Sequence, residues 1–365
     1  MSLKIKFLER ESIDQAISFF NHEMNDKPQL NNRRRDEFKW LFFDGVYKPS
    51  LYAVAMNTEE EEIVGTYAGI FIPMLSPSGK PVLTCKGEDT LLSLDRMIKL
   101  GKRDVLNEML KSIEEKSKED NVLFIWGFTA ARNSFKRCGF NINNQVKGAF
   151  YVIKPIQFYK YRLQQFPLQS ILKKTRLIGF SLYNYSRQLL SSLTFSQISL
   201  RQISFDEIEE EILLSFLPKN VFTIYLNKEY LKWRTSGNPS SMTYGFLEFK
   251  DKIGDIESYF IFSSNKENIY FVEQFLFRKD LNDNRKLKIM SSAFNFLKKQ
   301  NATAIRAMGF TDNSLNIKEI YLLKKTGFYF FENRKASYFV LKYLTDPGIN
   351  ARDIYLSRLN TLGTV

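Results

Sequence analysis

The stretch that decides the fold is "NVLFIWGFTAARNSFKRCGF", residues 121–140, because a second stretch repeats its pattern. That second stretch is "NATAIRAMGFTDNSLNIKEIYLLKKTGF", residues 301–328. Both contain Gly-Phe-Thr, then Asn-Ser, and then a basic pair just ahead of a second Gly-Phe. The Gly-Phe-Thr motifs begin at Gly127 and Gly309, an offset of 309 − 127 = 182 residues. An internal repeat of this kind predicts two similar structural units in one chain.

The repeat extends on both sides of the quoted stretches. Downstream, "KGAFYVIK" at residues 147–154 matches "KASYFVLK" at residues 335–342. Upstream, "FKW" at residues 38–40 matches "LKW" at residues 231–233. Each copy predicts the order strand, helix, strand pair, further strand, long helix, strand, short helix, strand. Such alternation of helices and strands is typical of a layered α/β fold.

Local signals locate several of these elements. The spacings Ser12-x-x-Gln15 and Ser204-x-x-Glu207 match capping boxes, so they predict two helix starts. Apolar residues recur on one face of residues 101–120 and, in the second copy, of residues 286–300. This periodicity predicts a long amphipathic helix in each half.

We therefore expect two domains, each a mixed and mostly antiparallel sheet flanked by helices. The expected divisions are residues 1–155 for the first domain, 156–198 for connecting helices, 199–345 for the second domain and 346–365 for a C-terminal tail. The connecting segment is basic and aromatic. It is either a set of linking amphipathic helices or a surface that contacts a membrane or nucleic acid.

Composition bounds the class of protein. The 365 residues are 44% hydrophobic and 15% aromatic, which is enough for sizeable packed cores. No uncharged apolar run reaches about 18 residues, so we expect no transmembrane segment. The N-terminus lacks the apolar core of a secretion signal, and Cys85 and Cys138 are the only cysteines, which favours the cytoplasm. A formal net charge of +13 is consistent with an anionic partner, such as a nucleotide cofactor, nucleic acid or a membrane surface, and also with a role in solubility alone.

The single histidine, His22, excludes several kinds of chemistry. A zinc site has too few ligands, and we expect no metal. A Ser-His-Asp hydrolase would depend on His22 alone, whose helix-like surroundings favour an exposed side chain. Acid–base catalysis must therefore use Glu, Asp, Tyr or Lys.

The motifs and their order resemble the GNAT N-acetyltransferase superfamily. The similarity rests on "GFT" at residues 127–129, "NS" at 133–134 and "KRCGF" at 136–140, together with the second copy. It is similar in style to the tandem-domain group encoded in bacterial polysaccharide and envelope gene clusters, and more distantly to the Fem-type aminoacyl transferases. The resemblance implies two GNAT-like domains and an acyltransferase activity.

In that superfamily the sheet opens between its fourth and fifth strands, and acetyl-CoA lies in the gap with its pyrophosphate at the start of the long helix. The resemblance implies a CoA site bordered by Leu92, Leu94, Lys99, Gly101, Lys102, Arg103 and Asn133. The phosphate loop departs from the family pattern, because Asp104 or, shifted by one, Arg103 stands where a small residue is expected. The second copy has no glycine in this loop. Asn133 has a second interpretation as a helix cap.

The resemblance also implies a carboxylate base on or near the fourth strand. Glu88 and Asp89 stand there, and strand alternation predicts that one faces the gap and the other faces away. Glu88 is the preferred base. The tyrosine that serves many members as general acid is replaced by Phe135 and, in the second copy, by Leu323.

Three functions stay open at this point. The first is acetyl-CoA-dependent transfer to an amine in the first half, with an amino sugar or sugar nucleotide of surface polysaccharide as the acceptor. The second is a Fem-type transfer from aminoacyl-tRNA, which does not need the phosphate loop and would suit the positive charge. The third is a scaffold or sensor that has kept the fold and lost the chemistry.

Overall fold

The computed structural model of the protein describes residues 3–24, 33–165, 175, 178–180, 182–183, 185–186, 198–331, 337–345 and 348–361. These residues form two mixed sheets with helices packed on their faces, as the repeat predicts. The strands that begin the chain are β1 (Leu3–Phe7), β2 (Leu51–Asn57), β3 (Glu62–Leu75), β4 (Pro81–Leu92), β5 (Phe124–Thr129) and β6 (Asn141–Gln145). The helices among them are α1 (Ile13–Met24), α2 (Arg35–Phe42), α3 (Leu94–Lys99), α4 (Val105–Glu119) and α5 (Arg132–Arg137).

The second half follows a similar order of elements. Its strands are β7 (Lys147–Val152), β8 (Leu200–Ile203), β9 (Thr223–Ile224), β10 (Thr243–Lys250), β11 (Ile256–Ser264), β12 (Ile269–Phe277), β13 (Ala304–Gly309), β14 (Tyr329–Phe331) and β15 (Tyr338–Tyr343). Its helices are α6 (Pro155–Gln165), α7 (Glu210–Phe216), α8 (Lys228–Arg234), α9 (Asp283–Lys299) and α10 (Ser314–Lys325). Two 3₁₀ turns, Ala351–Asp353 and Arg358–Thr361, lie after the last strand.

The two sheets exchange a strand. The first sheet has the order β1-β2-β3-β4-β5-β15-β6, and the second has the order β14-β7-β13-β12-β11-β10-β8. Strand β15 therefore pairs with β5 in the first sheet, from Tyr338 opposite Thr129 to Tyr343 opposite Phe124. Strand β7 pairs with β13 in the second. The matching segments "KGAFYVIK" and "KASYFVLK" thus complete each other's sheets, so the halves are linked through their backbones.

A second reciprocal contact joins the repeated "FKW" and "LKW" segments. The Trp40 indole N–H donates to the Trp233 carbonyl oxygen at 2.9 Å, and the Trp233 indole donates to the Trp40 carbonyl at 3.2 Å. The two rings are stacked, with their centroids 5.0 Å apart. A residue that contacts its own counterpart in this way marks an approximate two-fold axis between the halves.

Helices cover both faces of the first sheet. Helices α4 and α5 pack on one face, where Met109, Ile113 and Phe135 are buried. Helices α1 and α2 pack on the other, in a core that extends to α7 and α8 of the second half. The second sheet is covered on its far face by α9 and α10. One face of each sheet therefore turns toward the shared centre of the molecule.

Several helices begin later in the structure than the sequence predicts. Helix α4 begins at Val105 and not at residue 101, because Gly101 adopts a left-handed φ of 65° after the separate short helix α3. Glu207 accepts a hydrogen bond from the Ser204 backbone N–H at 2.7 Å, yet α7 begins only at Glu210. In the connecting segment α6 is a helix, while residues 166–174 and 187–197 lie outside the described residues.

Candidate active site

The first sheet splits between β4 and β5. The two strands pair in parallel only from Cys85 opposite Ile125 to Gly87 opposite Gly127. Beyond Gly87, β4 continues to pair with β3, while β5 pairs with β15 on its other side. Thr90 is exposed and Leu92 is only partly buried, so solvent reaches this part of β4. The predicted gap between the fourth and fifth strands is therefore present and open.

A β-bulge reshapes β4 at the gap. Ala68 of β3 lies opposite Glu88, and Thr66 lies opposite Leu91, so β4 carries one extra residue there. Asp89 occupies the bulge with a φ of 47°. Its carboxylate accepts a hydrogen bond from the Tyr52 hydroxyl at 3.2 Å. The expectation that Glu88 and Asp89 point to opposite faces is wrong, because the bulge cancels the strand alternation.

Four charged side chains meet on this face of the sheet. Lys86 forms an ion pair with Glu88, and their side chains are only 1% and 8% exposed. Asp89 forms an ion pair with Arg33, which lies just before α2. Lys86 and Glu88 are two residues apart in one strand, so they share a face. The cluster therefore holds two buried carboxylates and two cations at the edge of the gap.

Burial shifts the proton affinities in this cluster. It lowers the pKa of Lys86 well below its usual value, and the charge of Arg234 lowers it further. It raises the pKa of Asp89, which the Arg33 guanidinium opposes. A low-dielectric site disfavours the charged forms of both groups. Burial therefore favours the neutral forms of Lys86 and Asp89.

The cluster faces the second half of the molecule. Arg234 is 1% exposed, and its guanidinium donates to the Leu359 carbonyl at 2.9 Å and to the Tyr244 hydroxyl at 2.7 Å. Its charge acts on Lys86 across the interface. Residues of α8, β10 and the C-terminal segment therefore form the wall opposite Glu88. A substrate that reached this carboxylate would contact both halves.

The opposite face of the gap carries a tyrosine that sequence reasoning missed. The Tyr67 hydroxyl is buried and makes no hydrogen bond within the described part of the chain. It lies over Gly87, where an added Cβ atom would come within 2.2 Å of the phenol oxygen. Its ring lies 6.2 Å from that of Phe135, the position at which the family resemblance placed a catalytic tyrosine. Burial raises the pKa of Tyr67, so its hydroxyl stays a hydrogen-bond donor.

The predicted cofactor-binding residues lie on this same α4–α5 side. Leu92 packs partly against the α4 core, and the exposed residues are Leu94, Lys99, Gly101, Lys102, Arg103 and Asn133. Asn133, Lys136 and Arg137 line an open depression of about 660 Å³. Burial raises the pKa of the Cys138 thiol, and the nearby Asp104 carboxylate adds to this rise, so the loop before α4 lies beside the end of α5. A basic surface therefore borders the gap.

The capping interpretation of Asn133 does not hold in the first half. The N-cap of α5 is Ala131, and Asn133 lies inside the helix with an exposed side chain. In the second half Asn313 is a true N-cap, since its side chain accepts a hydrogen bond from the Leu315 backbone N–H at 2.8 Å. The repeated Asn-Ser motif therefore caps a helix in the second copy but not in the first.

His22 and Tyr151 lie away from the gap. His22 is exposed on α1, as its surroundings predicted. Tyr151 belongs to the second sheet through β7 and packs against Phe294 and Phe328. Phe135 and Leu323 are both buried. The two-residue spacing of Lys86 and Glu88 was a usable signal, whereas nothing in the sequence connects Arg33 or Arg234 to the gap.

Comparison with known proteins bears on the fold. No protein-family model and no curated protein sequence matches the chain. A probable N-acyltransferase from Enterococcus faecalis superposes with a TM-score of 0.60 at 8% identity, covering 94% of this chain and 73% of that one. Saccharomyces cerevisiae N-myristoyltransferase with bound myristoyl-CoA gives 0.59 at 12% identity, covering 94% and 83%. A GCN5-related N-acetyltransferase from Anabaena variabilis gives 0.58 at 9% identity, covering 94% and 73%.

The chain therefore has the GNAT fold, as the repeated motif predicted, and it shares this fold with N-acetyl- and N-myristoyltransferases. The two mixed sheets flanked by helices match those neighbours over nearly the whole chain. Within the described ranges, no helix combines the length and apolar character needed to cross a membrane.

Proposed function

We propose that the protein is a CoA-ester-dependent N-acyltransferase whose reaction centre is the gap between β4 and β5. The observation that carries the proposal is the open gap beyond Gly87, with a buried Lys86–Glu88 pair on one face and basic residues on the other. A gap that connects a phosphate-binding surface to a proton acceptor is what acyl transfer from a CoA ester to an amine requires.

The donor would lie on the α4–α5 side. Lys99, Lys102 and Arg103 supply positive charge for its phosphates. Asp104, at the N-cap of α4, makes no side-chain hydrogen bond to the first turn. The first amides of α4 are therefore not used by a side-chain cap and favour an anion. The pantetheine arm would follow β4 past Leu92, and Asn133 would contact it from α5.

The acceptor amine would approach from the side of the charged cluster. Glu88 takes the proton that the amine loses as its nitrogen attacks the thioester carbonyl, directly or through one water molecule. Lys86 holds the Glu88 carboxylate in place. Tyr67 would donate a hydrogen bond to the departing sulfur. The thiolate then takes a proton from solvent, and Glu88 returns the amine proton to solvent. Asp89, held by Arg33 and Tyr52, positions the bulge and does not transfer a proton itself.

Acetyl-CoA is the proposed donor, and an amino sugar or sugar nucleotide is the acceptor class to test first; both rest on the family resemblance. Transfer from aminoacyl-tRNA stays an alternative donor, and a scaffold without chemistry stays an alternative role. The open gap and the buried pair support an enzyme over a scaffold. A longer acyl-CoA belongs in the same assay, because a neighbour of this fold was solved with myristoyl-CoA bound.

The test follows CoA release from acetyl-CoA, longer acyl-CoA esters and charged tRNA in the presence of a panel of amines. Glu88→Gln is expected to lower kcat by about 10²-fold or more while CoA binding, measured by calorimetry, stays unchanged. The matched control is Glu115→Gln, an exposed carboxylate on α4. The proposal fails if the intact chain binds no CoA ester, or if Glu88→Gln and Glu115→Gln turn over equally.

A further inference from the structure

The second half contains a cavity that the proposed reaction does not use. It has a volume of about 300 Å³ and lies between the end of β12, the start of α9 and the face of α10. Its walls are largely apolar and include Phe216, Phe275, Met290 and Leu322. A concave apolar site of this size is typical of a small-molecule pocket.

Four lysines surround this cavity: Lys219, Lys279, Lys286 and Lys318. Lys318 pairs with Asp283 at 2.9 Å. Within the described residues, no ion pair joins any of the other three to a carboxylate. These four residues, called the lysine ring below, form two neighbouring pairs. Lys219 lies near Lys279, and Lys286 lies near Lys318. Asp283 also interacts favourably with Lys286, so this one carboxylate compensates the positive charge of the four lysines only in part.

Neighbouring lysines lower the pKa of two members of the ring, Lys279 and Lys286. Burial lowers the pKa of Lys279 and the neighbouring Lys219 lowers it further, and for Lys286 burial and Lys318 do the same. Like charges held together cost free energy, which a bound anion removes. The chain keeps these amines beside an apolar wall, with the Lys286 Nζ atom 5.6 Å from the centre of the Phe277 ring.

One acidic side chain lines the cavity. Glu319 accepts a hydrogen bond from the Tyr355 hydroxyl at 3.2 Å, and burial raises the pKa of Glu319 to about 7. Lys219 and Lys279 are exposed, whereas Glu319 is partly buried and bonded to Tyr355. An anionic group would therefore bind at the lysine ring, whereas an apolar group would occupy the inner part.

We propose that this cavity binds a phosphate ester with an apolar chain, the phosphate among the lysines and the chain against Phe275 and Met290. A phosphate group carries up to two negative charges and several acceptor oxygens, so it can engage more than one pair of amines, whereas a single carboxylate cannot neutralise both pairs. A purely polar anion would leave the apolar walls uncovered, so it fits the cavity less well than an ester with an apolar chain. The site is separate from Glu88 and is independent of the acyl transfer proposed above.

The experiment measures binding of octyl phosphate to the full chain by calorimetry, beside inorganic phosphate and octanol. We expect octyl phosphate to bind about tenfold or more tightly than either, because inorganic phosphate lacks the apolar chain and octanol lacks the phosphate group. Equal affinity for octyl phosphate and inorganic phosphate, or no binding of octyl phosphate, would overturn the proposal.

Variants locate the site. The double change Lys279→Gln with Lys286→Gln is expected to weaken octyl phosphate binding by about tenfold or more, since charged hydrogen bonds are lost. It also removes like-charge repulsion, so folding should not suffer. Leu315→Trp, at the partly exposed wall, should block the chain and have a similar effect. The control Lys80→Gln, on an exposed turn of the first half, should change nothing. Unchanged affinity in the double variant would disprove the assignment.

A final experiment distinguishes a membrane lipid from a soluble phosphate ester as the ligand. Flotation with vesicles of phosphatidylcholine, with and without phosphatidate, shows whether a lipid surface can present the group. Phosphatidate-dependent binding that the double lysine variant loses would assign a lipid ligand. Octyl phosphate binding without vesicle binding would assign a soluble phosphate ester. Vesicle binding that survives in the double variant would count against this cavity.

Discussion

The two sheets are built alike and split alike, yet different parts of the chain cover the strands beside the two splits. In each sheet a parallel pair of strands separates, β4 from β5 and β12 from β13. In each, a bulge follows the split and carries an acidic residue, Asp89 or Glu273, two residues beyond the last paired one. Asp89 pairs with Arg33 from the first half, whereas Glu273 pairs with Arg358 from the C-terminal segment.

The last paired residues explain part of this difference. In the first sheet they are Gly87 and Gly127, and the Tyr67 hydroxyl fills the space where a side chain at position 87 would lie. In the second they are Phe271 and Arg306. The Arg358 guanidinium stacks on Phe271 at 4.1 Å, so the C-terminal segment covers the strand. Glycine at the first split leaves room for the Tyr67 hydroxyl, whereas Phe271 at the second split supplies a surface for the C-terminal segment.

The largest effect is expected from separating the halves. A chain of residues 1–165 lacks β15, and a chain of residues 198–361 lacks β7, so each sheet loses an inner strand. Neither fragment should unfold cooperatively in a thermal melt. The two should associate when coexpressed, because the strands can then be exchanged between chains. Cooperative unfolding of the isolated 1–165 fragment would show that the exchange is dispensable.

The C-terminal segment over β12 should tolerate truncation less well than the end of β4 beside the first gap. Leu359 is 0% exposed in the C-terminal segment, whereas Leu91 is only partly buried beside the open gap. Leu359→Ala should lower the free energy of unfolding by about 2–5 kcal/mol. Leu91→Ala should cost less than half as much, since less contact is lost. Urea unfolding of both variants measures the difference, and equal losses would contradict it.

A methyl group at the glycine position tests what the open gap is for. In Gly87→Ala the new Cβ would meet the Tyr67 hydroxyl at 2.2 Å. In Gly245→Ala, in the second sheet, it would meet the Phe262 ring at 2.3 Å. Both should lose about 1–3 kcal/mol of stability through overpacking. Only Gly87→Ala should also lower acyl transfer, so equal turnover in the two variants would argue against the first gap as the reaction centre.

The smallest effect concerns Glu319 beside the second gap. Because burial raises its folded pKa to about 7, above an ordinary 4.5, the folded state holds its proton more tightly. Stability from this group is therefore full below pH 4.5 and is lost as the pH rises through 7. Glu319→Gln should be more stable than the wild type by about 1 kcal/mol at pH 8, discounted for its partial exposure, with no difference near pH 4.5.

Urea unfolding at both pH values measures the Glu319 effect. The control is Glu267→Gln, an exposed carboxylate on a turn of the second half. A gain of stability that is equal at both pH values, or shared by the control, would disprove the assigned cause.

The family resemblance supplied the gap between the fourth and fifth strands, while the sequence by itself determined the two-fold repeat and the order of elements. These depend on local periodicity and on motifs such as Gly127-Phe128-Thr129, which act over a few residues. Glu88 could be chosen as a candidate base because its position in β4 follows from that order. The role of Asp89 could not, because its direction depends on a bulge set by pairing with β3.

Only the tertiary structure decided the partners of these residues. Arg33 and Asp89 are 56 positions apart, and Arg234 reaches Leu359 across 125. The exchange of β7 and β15, and the cover that the C-terminal segment places on β12, are likewise contacts between distant parts of the chain. Pattern and propensity specify local structure, but long-range packing selects which surfaces meet. The sequence therefore defined two equivalent halves, and the packing laid the C-terminal segment over β12 of one half while it left Thr90 of β4 in the other half exposed.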